Sequence, residues 1–404
     1  MKRRRPSLVP VLALLCPLLL VAGIYLGGHP DLLPDAARDT LLSDSEARVY
    51  DEAMDQIAED YYRPIDRRRL LDRSLAGAVD SLDDRFSNYF DPQDYASFRQ
   101  QTSGEFVGVG VSVRDEKKLP RGLEVTEVYD GAPAKRAGIL QGDLITEVDG
   151  RPIRGLSTEE ATAKIKGPAG TEVRLTFGRG DRFTTRTLER DRVSLPIVTS
   201  ETEPSSKLGG DVVHASLASF TSGAHGELGR RIRDGLKKGA KGVVLDLRNN
   251  GGGLLNEAVL VSSIFIPEGT VVTTKGRSKP KRTYTATGGA ISEDVPVVVL
   301  VNENSASASE IVTGALKDRK RATVVGTRTF GKGVFQEVKQ LSNGGALDIT
   351  VGEYFLPSGR NLGAGGVKKG AGIEPDVKAE DDPETRPDEA LERALAVLAS
   401  RPAR

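Results

Sequence analysis

Tryptophan is absent from this chain of 404 residues, and cysteine, methionine and histidine are scarce: one, two and three. The single cysteine, Cys16, lies in an apolar run near the N-terminus. The rest of the chain can therefore build neither a disulfide framework nor a cysteine-rich zinc site, a usage compatible with an oxidising compartment. No sign of charge is in excess, since 57 Lys and Arg balance 57 Asp and Glu, so there is no basic field to attract nucleic acid. The three histidines, His29, His214 and His225, stand in no motif-like setting, and His214, inside an alternating pattern, reads as structural. No internal repeat is present, and the length leaves room for two or three domains with sizeable cores.

One long apolar run does occur. Residues 2–5 are Lys-Arg-Arg-Arg, and residues 8–28 are almost wholly apolar. Roughly 21 residues at ~1.5 Å rise span the ~30 Å hydrocarbon core of a bilayer. The basic flank stays cytoplasmic, which places everything after Gly28 outside. The expectation is a retained single-pass anchor in the cell membrane with an extracytoplasmic remainder; the alternative is a cleaved signal peptide and secretion. Val21-Ala22-Gly23 is a poor cleavage site, and Leu15 stands before Cys16 where a lipoprotein signal wants a small residue.

Hydrophobic periodicity divides the rest of the chain. After a connector to residue 40, residues 41–103 carry a helical pattern (Val49, Met54, Ile57, then Leu70, Leu71, Leu75) broken at Pro64, and end in the mixed stretch LDDRFSNYFDPQDYASF. From Gly104 the period switches to two, with strands expected over 123–128 and 143–148 and a helix over 158–165 within the region 104–195. The region 196–380 alternates buried-strand runs, 242–247 and 295–301, with helical patterns, which predicts an α/β sheet covered on both faces. Residues 381–404 read as an exposed acidic connector and a terminal helix.

Chemistry concentrates in residues 301–336. Three alternating serines, Ser305, Ser307 and Ser309, open a helical pattern at its N-terminus, where backbone N–H groups and the helix dipole favour negative charge. A serine nucleophile needs a base, and Lys332 between Gly331 and Gly333, with Phe330, Val334 and Phe335 around it, is the candidate. Its pKa would have to fall from ~10.4 to the useful range of about 7–8, which burial can do. Gln336, four residues on, is placed to hold the amine through its amide oxygen. The spacing from Gly326 to Lys332 also fits a phosphate-binding GxxxxGK loop, but Gly333 comes next where such a loop carries Ser or Thr, and no long helical pattern comes after.

SASASE, then FGKG, then Gln four after the lysine resembles the signature of the carboxyl-terminal processing, or tail-specific, serine peptidases. The resemblance implies Ser307 as nucleophile, Lys332 as general base and Gln336 as the residue that positions the lysine. Ser305 and Ser309 are then structural, with Ser305 as a helix cap. It further implies an oxyanion site from the backbone N–H groups of Gly252, or a neighbour in the LDLRNNGGG turn, and of Ala308. The catalytic domain would be a ClpP/crotonase-like α/β serine peptidase domain. GAPAKRAGILQGDLITEVDGRPI resembles the heart of a PDZ domain, in which a peptide tail adds a strand to an open edge and its carboxylate meets a glycine-rich loop. Here that loop is Gly108, Val109, Gly110 and Val111, flanked by the helix from Thr158, while Arg114 and Arg121 read as solvated charge. The multidomain α/β protein so implied has an N-terminal membrane helix, a small helical region, a PDZ domain and the peptidase domain. It hydrolyses protein substrates recognised by their C-terminal tails, with no metal or cofactor. The resemblance also allows a homodimer or a gating role for the helical region. A non-catalytic PDZ-bearing envelope scaffold is the alternative from another class.

Overall fold

The computed structural model describes residues 45–115, 122–205, 208–381 and 387–400, together with Val21, Gly23 and Tyr25. The expected membrane helix therefore lies almost entirely outside the described residues, as do Cys16 and Arg121. Among the described residues, no helix is long and apolar enough to cross a membrane. The chain forms two compact units, Met1–Ala78 and Val79–Arg404. In the first, helix Ser45–Asp60 and the start of helix Arg67–Asp80 lie either side of Pro64, as its missing N–H predicts. Met54 is buried, but Val49 and Ile57 of the same apolar face stay exposed.

The second unit is built on a six-stranded sheet. Its spatial order is Val198–Ser205, Gly210–Leu217, Gly242–Asp246, Val297–Val301, Thr323–Gly326 and Val377–Lys378. All successive pairs are parallel except the first, which is antiparallel. The near-continuous apolar runs result from burial on both faces. Val243, Leu245, Val297 and Val299 face helices Ala224–Lys237, Leu255–Ser263 and Ala308–Asp318, while Val244, Val298 and Leu300 face the C-terminal helix Glu389–Ser400 through Ala390, Ala394 and Leu398. A second, antiparallel sheet joins Asn88–Phe90, Val334–Gln340 and Thr270–Lys275 to the long central strand Ala346–Phe355. Just before the last helix, Asp388 is held rather than free in solvent: Arg248 pairs with it at 2.7 Å and with Asp246 at 2.6 Å, which pins the start of that helix to the sheet.

Between residues 104 and 195 lies a separate core of Val125, Ile139, Ile145, Leu175 and Phe177. Its sheet runs in the order Val111–Asp115, Leu123–Val128, Leu144–Val148, Glu172–Arg179 and Arg182–Glu189. Helix Thr158–Ile165 carries a capping box of Ser157 and Glu160 and packs beside the edge strand Val111–Asp115. The pair Glu105–Gly108 and Asp191–Ser194 forms a two-stranded neck where this part enters and leaves the chain.

Candidate active site

Ser307 is delivered by the buried strand Val297–Val301 and stands immediately before helix Ala308–Asp318. Its φ of 54° and ψ of −113° put a non-glycine residue in a sparsely populated region, a strain that a surrounding scaffold must hold. The scaffold is visible in its two serine neighbours. Ser305 Oγ donates to the Leu247 carbonyl at 2.8 Å and Ser309 Oγ to that of Asn250 at 2.8 Å, so both bind the loop to the LDLRNN segment. Ser305 is thus structural as expected, but as a loop anchor rather than a helix cap; the N-cap position belongs to Ser307.

Lys332 lies in the turn before strand Val334–Gln340. A Cβ on the neighbouring Gly333 would come within 2.5 Å of Asn361 Oδ1, so only glycine lets this turn pack against the loop around Asn361. The Lys332 ammonium nitrogen donates to Gln336 Oε1 at 2.8 Å and sits 4.5 Å from the centre of the Phe86 ring. Burial pushes its pKa below the ordinary lysine range, against the opposing pull of Asp348, Asp84 and Glu310. The aromatic wall comes from the LDDRFSNYF stretch, not only from the residues beside the lysine in sequence. Phosphate-loop geometry does not form, since the strand Val334–Gln340 succeeds Gly333 where that fold needs a helix.

Two buried side chains tie the two loops together. Glu310 Oε2 accepts the backbone N–H of both Ser307 and Lys332, each at 3.0 Å, and Oε1 accepts from Thr329 Oγ1 at 2.6 Å and Gly331 N at 2.8 Å. Burial raises the carboxyl's pKa while these four donors pull it back. From the other side the Tyr354 hydroxyl donates to the Lys332 carbonyl, with the Ser307 carbonyl 3.5 Å away. Burial drives that phenol well above its usual range, so it stays a donor.

The glycine-rich turn after strand Gly242–Asp246 abuts the serine. A Cβ on Gly252 would lie 2.8 Å from Ser307 Cβ and 3.0 Å from Ala308 N, and its φ of 108° favours glycine independently. The Gly252 N–H, expected to face an oxyanion, instead donates to Asn250 Oδ1 at 2.9 Å. Among the described residues, the N–H groups of Ala308, Gly251 and Gly253 have no protein acceptor. Of the histidines, His214 bonds Asp246 Oδ2 at 3.1 Å and His225 bonds Glu257 at 2.8 Å; His29 lies outside the described residues.

In the smaller core, the loop Gly108, Val109, Gly110 and Val111 joins the neck to the edge strand. The Val109 and Gly110 carbonyls are taken by Ala134 N and Tyr129 N, whereas their own N–H groups have no acceptor among the described residues. Arg114 pairs with Glu124 at 2.8 Å on the surface, in line with a solvated charge.

Comparison with known proteins fits this geometry. The profile of peptidase family S41 matches residues 212–379, and that of the PDZ domain matches residues 124–179. A carboxy-terminal-processing protease of Bartonella bacilliformis is 34% identical over 89% of this chain and 81% of its own. A carboxyl-terminal-processing protease of Synechocystis is also 34% identical, over 87% of this chain and 84% of its own. The chain belongs to the carboxyl-terminal processing proteases of peptidase family S41. Among solved structures, a photosystem II D1 C-terminal processing protease aligns with a TM-score of 0.50 at 30% identity, covering 89% of this chain and 99% of that one.

For this S41 peptidase, the residues that sequence reasoning missed are those that reach Ser307, Lys332 and Gln336 through hydrogen bonds or a ring contact across the fold. Glu310 had a signal, since Ser307 and Glu310 have the spacing of a capping box. Tyr354, Phe86 and Thr350 had none, because only strand register and loop packing bring them to the lysine.

Proposed function

We propose that this carboxyl-terminal processing serine peptidase works through a Ser–Lys dyad. Neutral Lys332 takes the proton of Ser307 as Oγ attacks the peptide carbonyl carbon. Gln336 holds the amine by accepting one of its hydrogens, which leaves the nitrogen lone pair for the serine. The tetrahedral oxyanion is stabilised by the Ala308 N–H and by a second donor from the turn 251–253, where Gly251 or Gly253 replaces the occupied Gly252. Collapse breaks the C–N bond and the Lys332 ammonium protonates the departing amine. Water, deprotonated by the same lysine, then hydrolyses the acyl ester and restores Ser307. The observation that carries the reading is the 2.8 Å contact of a desolvated lysine amine with Gln336 Oε1, in the site that holds Ser307 in its strained conformation.

Substrate tails add a strand to Val111–Asp115, with their carboxylate on the N–H groups of the loop 108–111. The apolar run 8–28 tethers the enzyme to the membrane, so its substrates are extracytoplasmic. The test is cleavage of an unstructured protein with an apolar C-terminus. Wild type cleaves it, and Ser307→Ala and Lys332→Ala each lower the rate by ~10²–10⁴-fold or more. Cleavage that survives Ser307→Ala would overturn the assignment of the nucleophile.

A further inference from the structure

Behind the Lys332–Gln336 contact the hydrogen bonds continue into a part of the chain that the dyad does not use. Gln336 and Thr350 are direct partners on the antiparallel strands Val334–Gln340 and Ala346–Phe355, at a register irregularity between Phe335 and Gln336 that re-aims the side chain. Gln336 Nε2 donates to Thr350 Oγ1 at 2.9 Å. The Asp84 carboxylate lies beside Thr350 and feels its hydroxyl, which helps to lower the carboxyl's pKa. Asp84 Oδ2 also accepts from Ser87 Oγ at 2.7 Å, and Ser87 Oγ accepts the Thr350 N–H at 3.0 Å. A third donor, the Phe86 N–H, reaches Asp84 Oδ1 at 3.1 Å. Burial would raise this carboxyl's pKa, but Thr350, Ser87 and Phe86, joined by the charge of Lys332, more than offset it and hold it below the usual range.

An ionised carboxylate only accepts, so Asp84 takes the hydrogens of its neighbours and biases the sense of the bonds around it. The neighbouring anion draws the Thr350 hydroxyl hydrogen toward Asp84, which leaves the oxygen to accept from Gln336, as it does at 2.9 Å. Gln336 must then turn its NH₂ toward Thr350 and its carbonyl oxygen toward Lys332. A flipped amide would donate to the neutral lysine and occupy the lone pair that takes the serine proton.

We infer that Thr350 and Asp84 are positioning residues of this peptidase, which set the direction of the hydrogen-bond chain so that Gln336 presents its oxygen to Lys332. The inference rests on the Ser307–Lys332 reading above and goes beyond it, since it gives the segment 84–87 a role in tuning the base.

The experiment is a double-mutant cycle on the full chain, with kcat and KM measured on a quenched peptide across pH and a melting curve for each variant. Thr350→Val is expected to lower kcat by ~10–100-fold with KM and melting nearly unchanged, and Thr350→Ser to restore it to within ~3-fold. In a Gln336→Ala background, Thr350→Val should add less than ~2-fold, because its path to the lysine is already cut. Asp84→Asn, whose amide can donate as well as accept, should fall between wild type and Thr350→Val and move the pH profile. An equal loss from Thr350→Val in both backgrounds, or a folded Thr350→Ser that fails to recover, overturns the inference. Should Thr350→Val not fold, Asp84→Asn carries the same cycle against Gln336→Ala. Retained cleavage in Ser307→Ala would instead overturn the dyad reading, so the two failures are told apart.

Discussion

Ser307 and Lys332 are joined through one oxygen: Glu310 Oε2 accepts the backbone N–H of each, both at 3.0 Å. That oxygen sets how far apart the two loops sit, and a buried carboxylate with four donors has no freedom to drift. Glu310→Gln places an amide NH₂ where an acceptor is required, facing N–H donors that cannot move. Leaving buried donors unsatisfied costs about 1–3 kcal/mol each. The expected result is a loss of kcat of ~10²-fold or more with a lowered melting temperature. Wild-type kcat in a folded Glu310→Gln would show that the loops hold their distance without it.

A lysine base has a pH signature. On the proposed mechanism the reactive form is the neutral amine, so kcat/KM should rise with pH through the Lys332 pKa, which burial holds below that of an ordinary lysine, ~10.4. Among the charges that oppose burial, Asp348 is the foremost. Asp348→Asn removes an anion that favours the ammonium, so the rising limb should move to lower pH. A limb that stays in place, or moves up, would mean that the titrating group is not Lys332.

The same burial has a stability consequence of opposite sign to the catalytic one. Below its folded pKa the lysine is charged in a site that disfavours charge, so the unfolded state binds its proton more readily and stability rises with pH between the folded and unfolded values. Lys332→Met should therefore be inactive yet melt no lower than wild type at pH 6, with a rise of a few degrees expected. A clear drop in melting temperature would assign the lysine a structural role that its surroundings do not predict.

Gly252 packs against the serine with no space to spare. Gly252→Ala would bring a methyl to 2.8 Å of Ser307 Cβ at a φ of 108°, which an L-residue rarely adopts. Displacing the serine or the neighbouring Ala308 N–H should cost ~10²–10³-fold in kcat, the usual penalty for a lost oxyanion donor. An active Gly252→Ala enzyme would mean that the turn moves away from Ser307 during turnover.

Much of the site is legible in the amino-acid order itself. The serines, the glycine-flanked lysine and Gln336 lie within residues 305–336, so the candidate chemistry occupies a short stretch whose spacing is informative. Apolar runs such as 242–246 and 297–301 announce a sheet buried on both faces, and helix 158–165 is bounded as its capping box predicts. The support around Ser307 and Lys332 is not legible in this way. Phe86 reaches Lys332 from some 250 residues away in sequence, Thr350 meets Gln336 through strand register, and Tyr354 crosses under both loops. Local patterns carry no information on such pairings. Which N–H of the 251–253 turn is free is not legible either: the turn's own Asn250 side chain takes that of Gly252, a local competition that composition alone does not rank.

The C-terminal helix depends on a charge cluster at the end of an inner strand of the main sheet. Arg248, only 16% exposed, bonds Asp246 at the end of strand Gly242–Asp246 and Asp388 at the start of helix Glu389–Ser400. For both carboxyls burial acts upward, yet the bonds from Arg248, joined at Asp246 by His214, hold the pKa below the ordinary range. A depressed acid pKa contributes stability that is complete above the unfolded value of ~3.9 and is lost as pH falls through the folded value. Arg248→Met leaves Asp246 buried without its main partner, which costs about 3–5 kcal/mol at neutral pH. The melting temperature at pH 7 should fall by on the order of 10 °C. Near pH ~2–3, where wild type has also lost the contribution, the two proteins should converge. Asp388→Asn, which keeps the buried Asp246–Arg248 pair, should lose far less. A constant gap between wild type and Arg248→Met at all pH values would mean that the arginine stabilises by packing alone and that the helix is held by its apolar face.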